Sequence, residues 1–128
     1  FKMAKTLGVE HLLDRACHDI SFGEQRRVAL AGLLVLEPSL LLLDEPTAGL
    51  DPVSAHDLKL LVKELVQQSG TACIWATHDL HQTPKWANRV VLLRQGSIIF
   101  DGPTTEGLSK KWTITAGLAV EKEVENIC

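Results

Sequence analysis

Leu40-Leu41-Leu42-Leu43-Asp44-Glu45-Pro46 is the stretch from which the fold reads outward. Four consecutive leucines without polar alternation describe a strand buried on both faces, as in a parallel sheet covered by helices. Two carboxylates follow the run directly. They stand at the strand's C-terminal end, where open α/β sheets place their ligands, and Pro46 stops further strand pairing. An acidic pair at that point is costly to bury unless it meets a cation or a polar substrate. Taken alone the pair is no more than an Asp-Glu turn after a core strand. Its neighbours favour a ligand site.

Upstream, Ser21 to Glu24 is a capping-box pattern that opens a helix. Val28, Ala31, Gly32 and Val35 then recur at i, i+3, i+4 and i+7, which predicts a core-facing stripe. Arg26 and Arg27 lie in the opening turns, where positive charge opposes the helix dipole. That placement suits a helix with something anionic at its N-terminus, and a Ser hydroxyl with Gly backbone N–H groups is a ready anion site. Residues 1–14 carry apolar positions at Met3, Leu7, Leu12 and Leu13, interrupted by Gly8, and predict two short helices without chemistry of their own.

Downstream, Asp51-Pro52 supplies a cap and a first-turn proline. Leu58, Leu61, Val62 and Leu65 form a buried stripe that Ser69-Gly70 ends. Thr71 to Ala76 predicts a second buried strand, with Trp75 as core packing, and His78 follows at the same sheet edge as Glu45. Leu80 to Ala87 predicts a short helix broken or kinked near Pro84. Arg89 to Arg94 and Ser97 to Asp101 flank Gln95-Gly96, a two-residue hairpin signal. Thr104 to Ser109 predicts a helical turn. The tail 110–128 mixes Trp112 and Ile114 with the charged run 121–125 and predicts a solvated helix at its end.

At 128 residues the chain is at most one domain. A net charge of −3 offers no basic field for nucleic acid. The apolar share of 45% and mean hydropathy of +0.08 suit a soluble globular chain, and Val28 to Leu36 is too short to span a bilayer. Phe1-Lys2-Met3 reads as a start cut from something longer, with no signal-peptide pattern. Cys17, Cys73 and Cys128 are scattered, which points to reduced thiols. His78 and His81 form an H-x-x-H without a third ligand nearby, so metal binding there is disfavoured.

Ile20-Ser21-Phe22-Gly23-Glu24-Gln25-Arg26-Arg27, the Asp44-Glu45 strand, Ala48-Gly49-Leu50-Asp51 and Ala76-Thr77-His78-Asp79 resemble, in this order, the second half of an ABC-type ATPase nucleotide-binding domain. The matches are to its signature motif, Walker B strand with catalytic glutamate, D-loop and H-loop. Single short motifs recur by chance, and the four in sequence carry the resemblance. It implies an α/β fold: a partial P-loop NTPase (RecA-like) core of parallel strands covered by helices, a C-terminal hairpin and a remnant of the helical subdomain. Residues 1–36 match the helical-subdomain end and signature helix, 37–109 the Walker B to H-loop half of the core, and 110–128 a tail.

By the same resemblance Asp44 holds the Mg²⁺ shell through water, Glu45 orients or deprotonates the attacking water, and His78 steadies the γ-phosphate. Ser21 and Gly23 contact ATP held by the opposite subunit of a head-to-tail dimer, with Glu24 and Asp51 counted among the cofactor-contacting positions. Phe22 and Glu24 depart from the commonest signature. With Arg-Arg-Val-Ala-Leu-Ala-Gly after them, they look like the cobalt-importer and energy-coupling-factor branch. Phe22 adds apolar surface near the helical subdomain, so its departure bears on coupling more than on phosphate contact.

No G-x-x-x-x-G-K-[ST] loop occurs in these residues, and the family's Q-loop glutamine is also not matched. The resemblance therefore implies a parent that hydrolyses ATP with Mg²⁺, cytoplasmic and peripheral at the inner face of the membrane, docked on a transporter subunit for cobalt, nickel or a vitamin. Other ABC transporters are the alternative substrate class. This chain is expected neither to bind ATP tightly nor to turn it over. The other reading is a non-enzymatic module that dimerises or binds a full ABC ATPase. The family's Walker A strand lies between the strands matching 71–76 and 89–94, so those edges close on each other, or leave a slot for another chain, or make the fragment unstable in isolation.

Overall fold

The computed structural model describes residues 2–80 and 83–118, in two compact units that divide between Ala76 and Thr77. In the first, helix α1 (Lys2–Thr6) is followed by 3₁₀ turns at Glu10–Leu12 and Cys17–Asp19 and then by α2 (Phe22–Leu34). Gly8 separates α1 from the first 3₁₀ turn with φ +65°, a left-handed conformation that only glycine adopts freely. The first predicted short helix is α1, and a three-residue 3₁₀ turn stands in place of the second.

Strand β1 (Leu40–Asp44), helix α3 (Pro52–Ser69) and strand β2 (Ala72–Ala76) form a β-α-β unit in which β1 and β2 run parallel. Helix α3 starts and stops where local chemistry dictates. The Asp51 carboxylate accepts the amide hydrogens of Val53 and Ser54, each at 3.0 Å, and Pro52 needs no partner for a missing N–H. Gly70 ends the helix at φ +69°. Its inner face is Ala55, Leu58, Val62 and Leu65. The Thr71 hydroxyl, buried, donates to the Pro38 carbonyl at 3.0 Å and so ties the entrance of β2 to that of β1.

Three packing expectations are corrected here. Strand β2, expected to be buried, has no buried residue, and its Ile74 is 56% exposed. Strand β1 is covered on one face only: Leu41 is 3% exposed, whereas Leu40 and Leu42 are 45% and 64% exposed. Side chains alternate across a strand, and Leu40 and Leu42 lie on the side opposite Leu41. The leucine run therefore has an open face among the described residues. On α2 the buried positions are Leu30 and Leu34. Val28, Ala31, Gly32 and Val35 instead line an open apolar cleft of about 360 Å³ with Met3, Val9, Leu12 and Ile20. The predicted stripe faces the N-terminal segment, and the helix has two apolar faces.

The second unit holds an antiparallel hairpin, β3 (Arg89–Arg94) and β4 (Ser97–Pro103), then α4 (Thr104–Gly107) and α5 (Lys110–Ala116). Gln95 and Gly96 turn the chain with φ +49° and +77°, as the two-residue signal predicts. A bulge lies between Leu92 and Leu93. Leu92 and Phe100 face each other in the register and are both buried. The Phe100 and Trp112 rings lie 5.0 Å apart, which shows what the tail's tryptophan packs against. Arg89 and Asp101 pair bidentately at 2.7 and 2.8 Å.

Leu80 lies in a 3₁₀ turn, and residues 83–87 form a bend and turn around Pro84, with the Ala87 amide donating to the Pro84 carbonyl at 3.0 Å. The break expected near Pro84 is present, and residues 81 and 82 of the predicted helix lie outside the described residues. His81, the second member of the H-x-x-H, and the charged run 121–125 lie outside the described residues. Strand β2 pairs with β1 in one two-stranded sheet, and β3 pairs with β4 in another.

Candidate functional site

Six of the seven sequence-predicted site residues fall in the first unit, on three structural devices. The first is the N-terminus of α2. Ser21 is its cap: its hydroxyl accepts the Glu24 amide hydrogen at 3.3 Å, and the Glu24 carboxylate accepts the Ser21 amide hydrogen at 2.7 Å. This reciprocal box leaves the first-turn N–H groups of Phe22 and Gly23 without intrahelical acceptors. The Ser21 amide, then its hydroxyl, holds the Glu24 carboxyl below its usual range. His11 adds a further contact, its Nε2 lying 3.6 Å from Glu24 Oε1.

The second device is the end of β1. Asp44 stands opposite Ala76 in the parallel register, and its side chain is exposed. Glu45 leaves the strand in the left-handed region at φ +44°, a conformation that costs a non-glycine residue about 1–2 kcal/mol. Its amide donates to the Ala76 carbonyl at 3.0 Å and its carbonyl accepts from Ala48 at 3.0 Å, which fixes the turn. Thr47 inside that turn is 1% exposed, with no hydrogen-bond partner for its hydroxyl among the described residues.

The third device is the cap of α3. Asp51 spends its carboxylate on Val53 and Ser54, and the Ser54 hydroxyl, then its amide, holds the acid below its ordinary value. Packing brings the first and third devices together. A methyl group placed on Gly23 would lie 3.8 Å from Leu50 Cδ2 and 4.0 Å from Ser54 Oγ, and one placed on Gly49 would meet the Phe22 ring at 3.4 Å. The start of α2 thus lies against the loop that leads into α3. His78, the seventh residue, is exposed on a bend at the start of the second unit, two residues past the end of β2.

Residues outside the sequence reading also take part. Arg26 lies over the Phe22 ring at 4.9 Å and lines, with Asp44, Pro46, Leu30, Leu42 and Val62, a cleft of about 200 Å³. The i to i+4 spacing of Phe22 and Arg26 is the signal that points to that contact. His11 carried no comparable sign, because its contact with Glu24 depends on the fold of the preceding turns.

The donor set admits an anion and a hard cation only in part. Two open N–H groups and a hydroxyl at a helix start suit phosphate oxygens, although the Glu24 carboxylate stands in the same turn. Among the described residues no cluster of three or more His, Cys, Asp or Glu is gathered for a metal. Asp44 alone fits Mg²⁺ in the manner of sites that use one or two carboxylates plus substrate phosphates and water.

Comparison with known proteins bears on the assignment. The ABC transporter family matches residues 2–48. An energy-coupling factor transporter ATP-binding protein EcfA3 of Clostridium perfringens is 42% identical over 110 residues, covering 86% of this chain and 39% of that protein. An EcfA of Methanoculleus marisnigri is 38% identical over 109 residues, covering 85% and 39%. The chain thus spans about two fifths of the length of the curated relatives it matches. Among solved structures, cbiO1 of C. perfringens, described as part of the ABC transporter complex cbiONQ, superposes with a TM-score of 0.78 at 40% identity over 89% of this chain and 45% of that one. An ATP-binding cassette of an ABC transporter in its ADP conformation superposes at 0.77 and 30% identity, covering 98% and 46%.

Proposed function

Because the chain corresponds to the C-terminal part of an ABC-type ATPase domain of the energy-coupling-factor branch, we propose that it carries the signature, Walker B, D-loop and H-loop functions of ATP hydrolysis coupled to import. The observation that supports this most directly is the Asp44-Glu45 pair at the C-terminal end of the parallel strands, with Glu45 at φ +44° and its amide donating a hydrogen bond to the Ala76 carbonyl.

When bound, ATP and Mg²⁺ supply the transferable phosphoryl group and the neutralisation of its charge. The chain's own residues divide the remaining work. Asp44, exposed at the strand end, would hold Mg²⁺ through water. The Glu45 carboxylate accepts the proton of the attacking water. His78 donates to a γ-phosphate oxygen. Ser21 and Gly23 offer a hydroxyl and an N–H to the phosphates of a nucleotide held by a second ATPase subunit, while Glu24 shapes the cap and Asp51 reports across that interface.

The partners of this reading are a second ATPase subunit, head to tail, and a membrane subunit, with the chain at the cytoplasmic face of the membrane. The resemblance of the Ser21–Arg27 segment to the cobalt-importer and energy-coupling-factor branch is what supports an importer for cobalt, nickel or a vitamin. No helix among the described residues is long and apolar enough to cross a membrane. The sequence holds no Walker A pattern, so these residues alone should not turn over ATP.

The test is fusion of the N-terminal half of a close relative ahead of Phe1. The joined protein should hydrolyse ATP, and Glu45→Gln should abolish turnover while nucleotide stays bound, because only a transition-state contribution of about 10²–10⁴-fold is removed. Hydrolysis at the unsubstituted rate in Glu45→Gln would overturn the reading.

A further inference from the structure

Phe22 is one of the two residues at which the helix start departs from the commonest signature, and its contacts are with Gly49 and Arg26. Its ring edge lies over the backbone of Gly49, close enough that a methyl group there would stand at 3.4 Å. Gly49 itself has φ +75°, so the loop has no side chain of its own to fill that space. On the ring's other contact, the Arg26 guanidinium sits 4.9 Å from the centroid, one helical turn on. Arg26 Nε is buried and has no hydrogen-bond partner among the described residues, so the ring face is the favourable contact found for that end of the side chain. Next to it, Gly23 approaches Leu50 and Ser54.

We infer that Phe22 is a positioning residue, a wedge held between Arg26 and Gly49 that makes the first turn of α2 and the loop into Asp51 move as one body. Three contacts of different kinds converge on that junction: ring on backbone, cation on ring, and Gly23 against Leu50. The ring remains 49% exposed, so it is not an ordinary core side chain whose loss unfolds the unit. The consequence is that displacement of the Ser21–Gly23 edge is transmitted to the Asp51 cap, and the reverse. This coupling rests on geometry alone and holds whether or not the anion met by Ser21 is ATP. Failure of the nucleotide reading and failure of this inference are therefore separable.

The experiment is amide hydrogen exchange on the full chain without nucleotide. In Phe22→Ala, exchange at Leu50, Val53 and Ser54 should rise about tenfold, as local opening of one cooperative segment, while Ile74 of β2 and Leu92 of β3 stay unchanged. Phe22→Tyr keeps the ring and should restore protection. Arg26→Gln should shift the same three amides in the same direction by less. Unchanged exchange at those amides in Phe22→Ala overturns the inference. So does a uniform rise that includes Ile74, an unfolded Phe22→Ala chain, or a failure of Phe22→Tyr to restore protection, since each would make Phe22 a general stabiliser or a bystander.

Discussion

The Glu45 amide donates to the Ala76 carbonyl at 3.0 Å, which ties the first residue past β1 to the last residue of β2. That one bond holds an acidic side chain at the sheet's edge in a backbone conformation that its residue type disfavours. Strain of this kind persists only where the surroundings over-determine it, and it gathers at functional positions.

Glycine at position 45 should relieve that strain. Glu45→Gly is expected to be at least as stable as Glu45→Gln, by up to about 1 kcal/mol, because glycine takes positive φ without penalty. Urea unfolding of the two variants measures the difference. A Glu45→Gly chain less stable than Glu45→Gln would show that the turn is not strained.

The open face of β1 makes neighbouring leucines unequal. Leu41→Ala should destabilise by about 2–5 kcal/mol through a buried cavity. Leu42→Asp, at a position 64% exposed, should leave folding intact, since a solvated carboxylate meets no burial penalty. Equal losses in both variants would mean that the face carrying Leu42 is covered in solution.

The cap of α2 should show a defined pH dependence. The Ser21 bonds lower the Glu24 carboxyl from its ordinary value of 4.5, so the carboxylate's contribution is present above that value and is lost as pH falls through the lowered one. Glu24→Gln, which removes the titrating acceptor of the Ser21 amide, should be less stable than the unsubstituted chain near neutrality and progressively closer to it in acid, where Glu24 is protonated. Denaturation at pH 7 and pH 3 compares them. A difference that grows in acid would contradict the capping box.

Gly107 is the tightest glycine in the second unit. A methyl group there would run into Val90 Cγ1 and the Phe100 ring. Gly107→Ala should destabilise the hairpin unit by about 1–3 kcal/mol through overpacking and alter the near-ultraviolet signal of Trp112, which packs on Phe100. An unaltered melting temperature and spectrum would show that Val90 and Phe100 yield freely.

Elements set by their own residues were legible without the fold. Ser21 and Glu24 cap each other across one turn, Asp51-Pro52 starts α3, Gly70 ends it, and Gln95-Gly96 bends the hairpin. Each outcome depends on backbone conformation and hydrogen bonds within a few residues, so the sequence by itself determined it. The order of the acidic and glycine-containing motifs, likewise local, was sufficient for the family. Tertiary structure alone decided which face of the leucine run is buried, because apolar residues state a preference for cover and not what is present to provide it. It also decided that Phe22 reaches Gly49, that His11 meets Glu24 and that Trp112 lies on Phe100. These pairs, apart from their neighbours in the chain, are joined only by how helices and loops pack, and no local pattern encodes that.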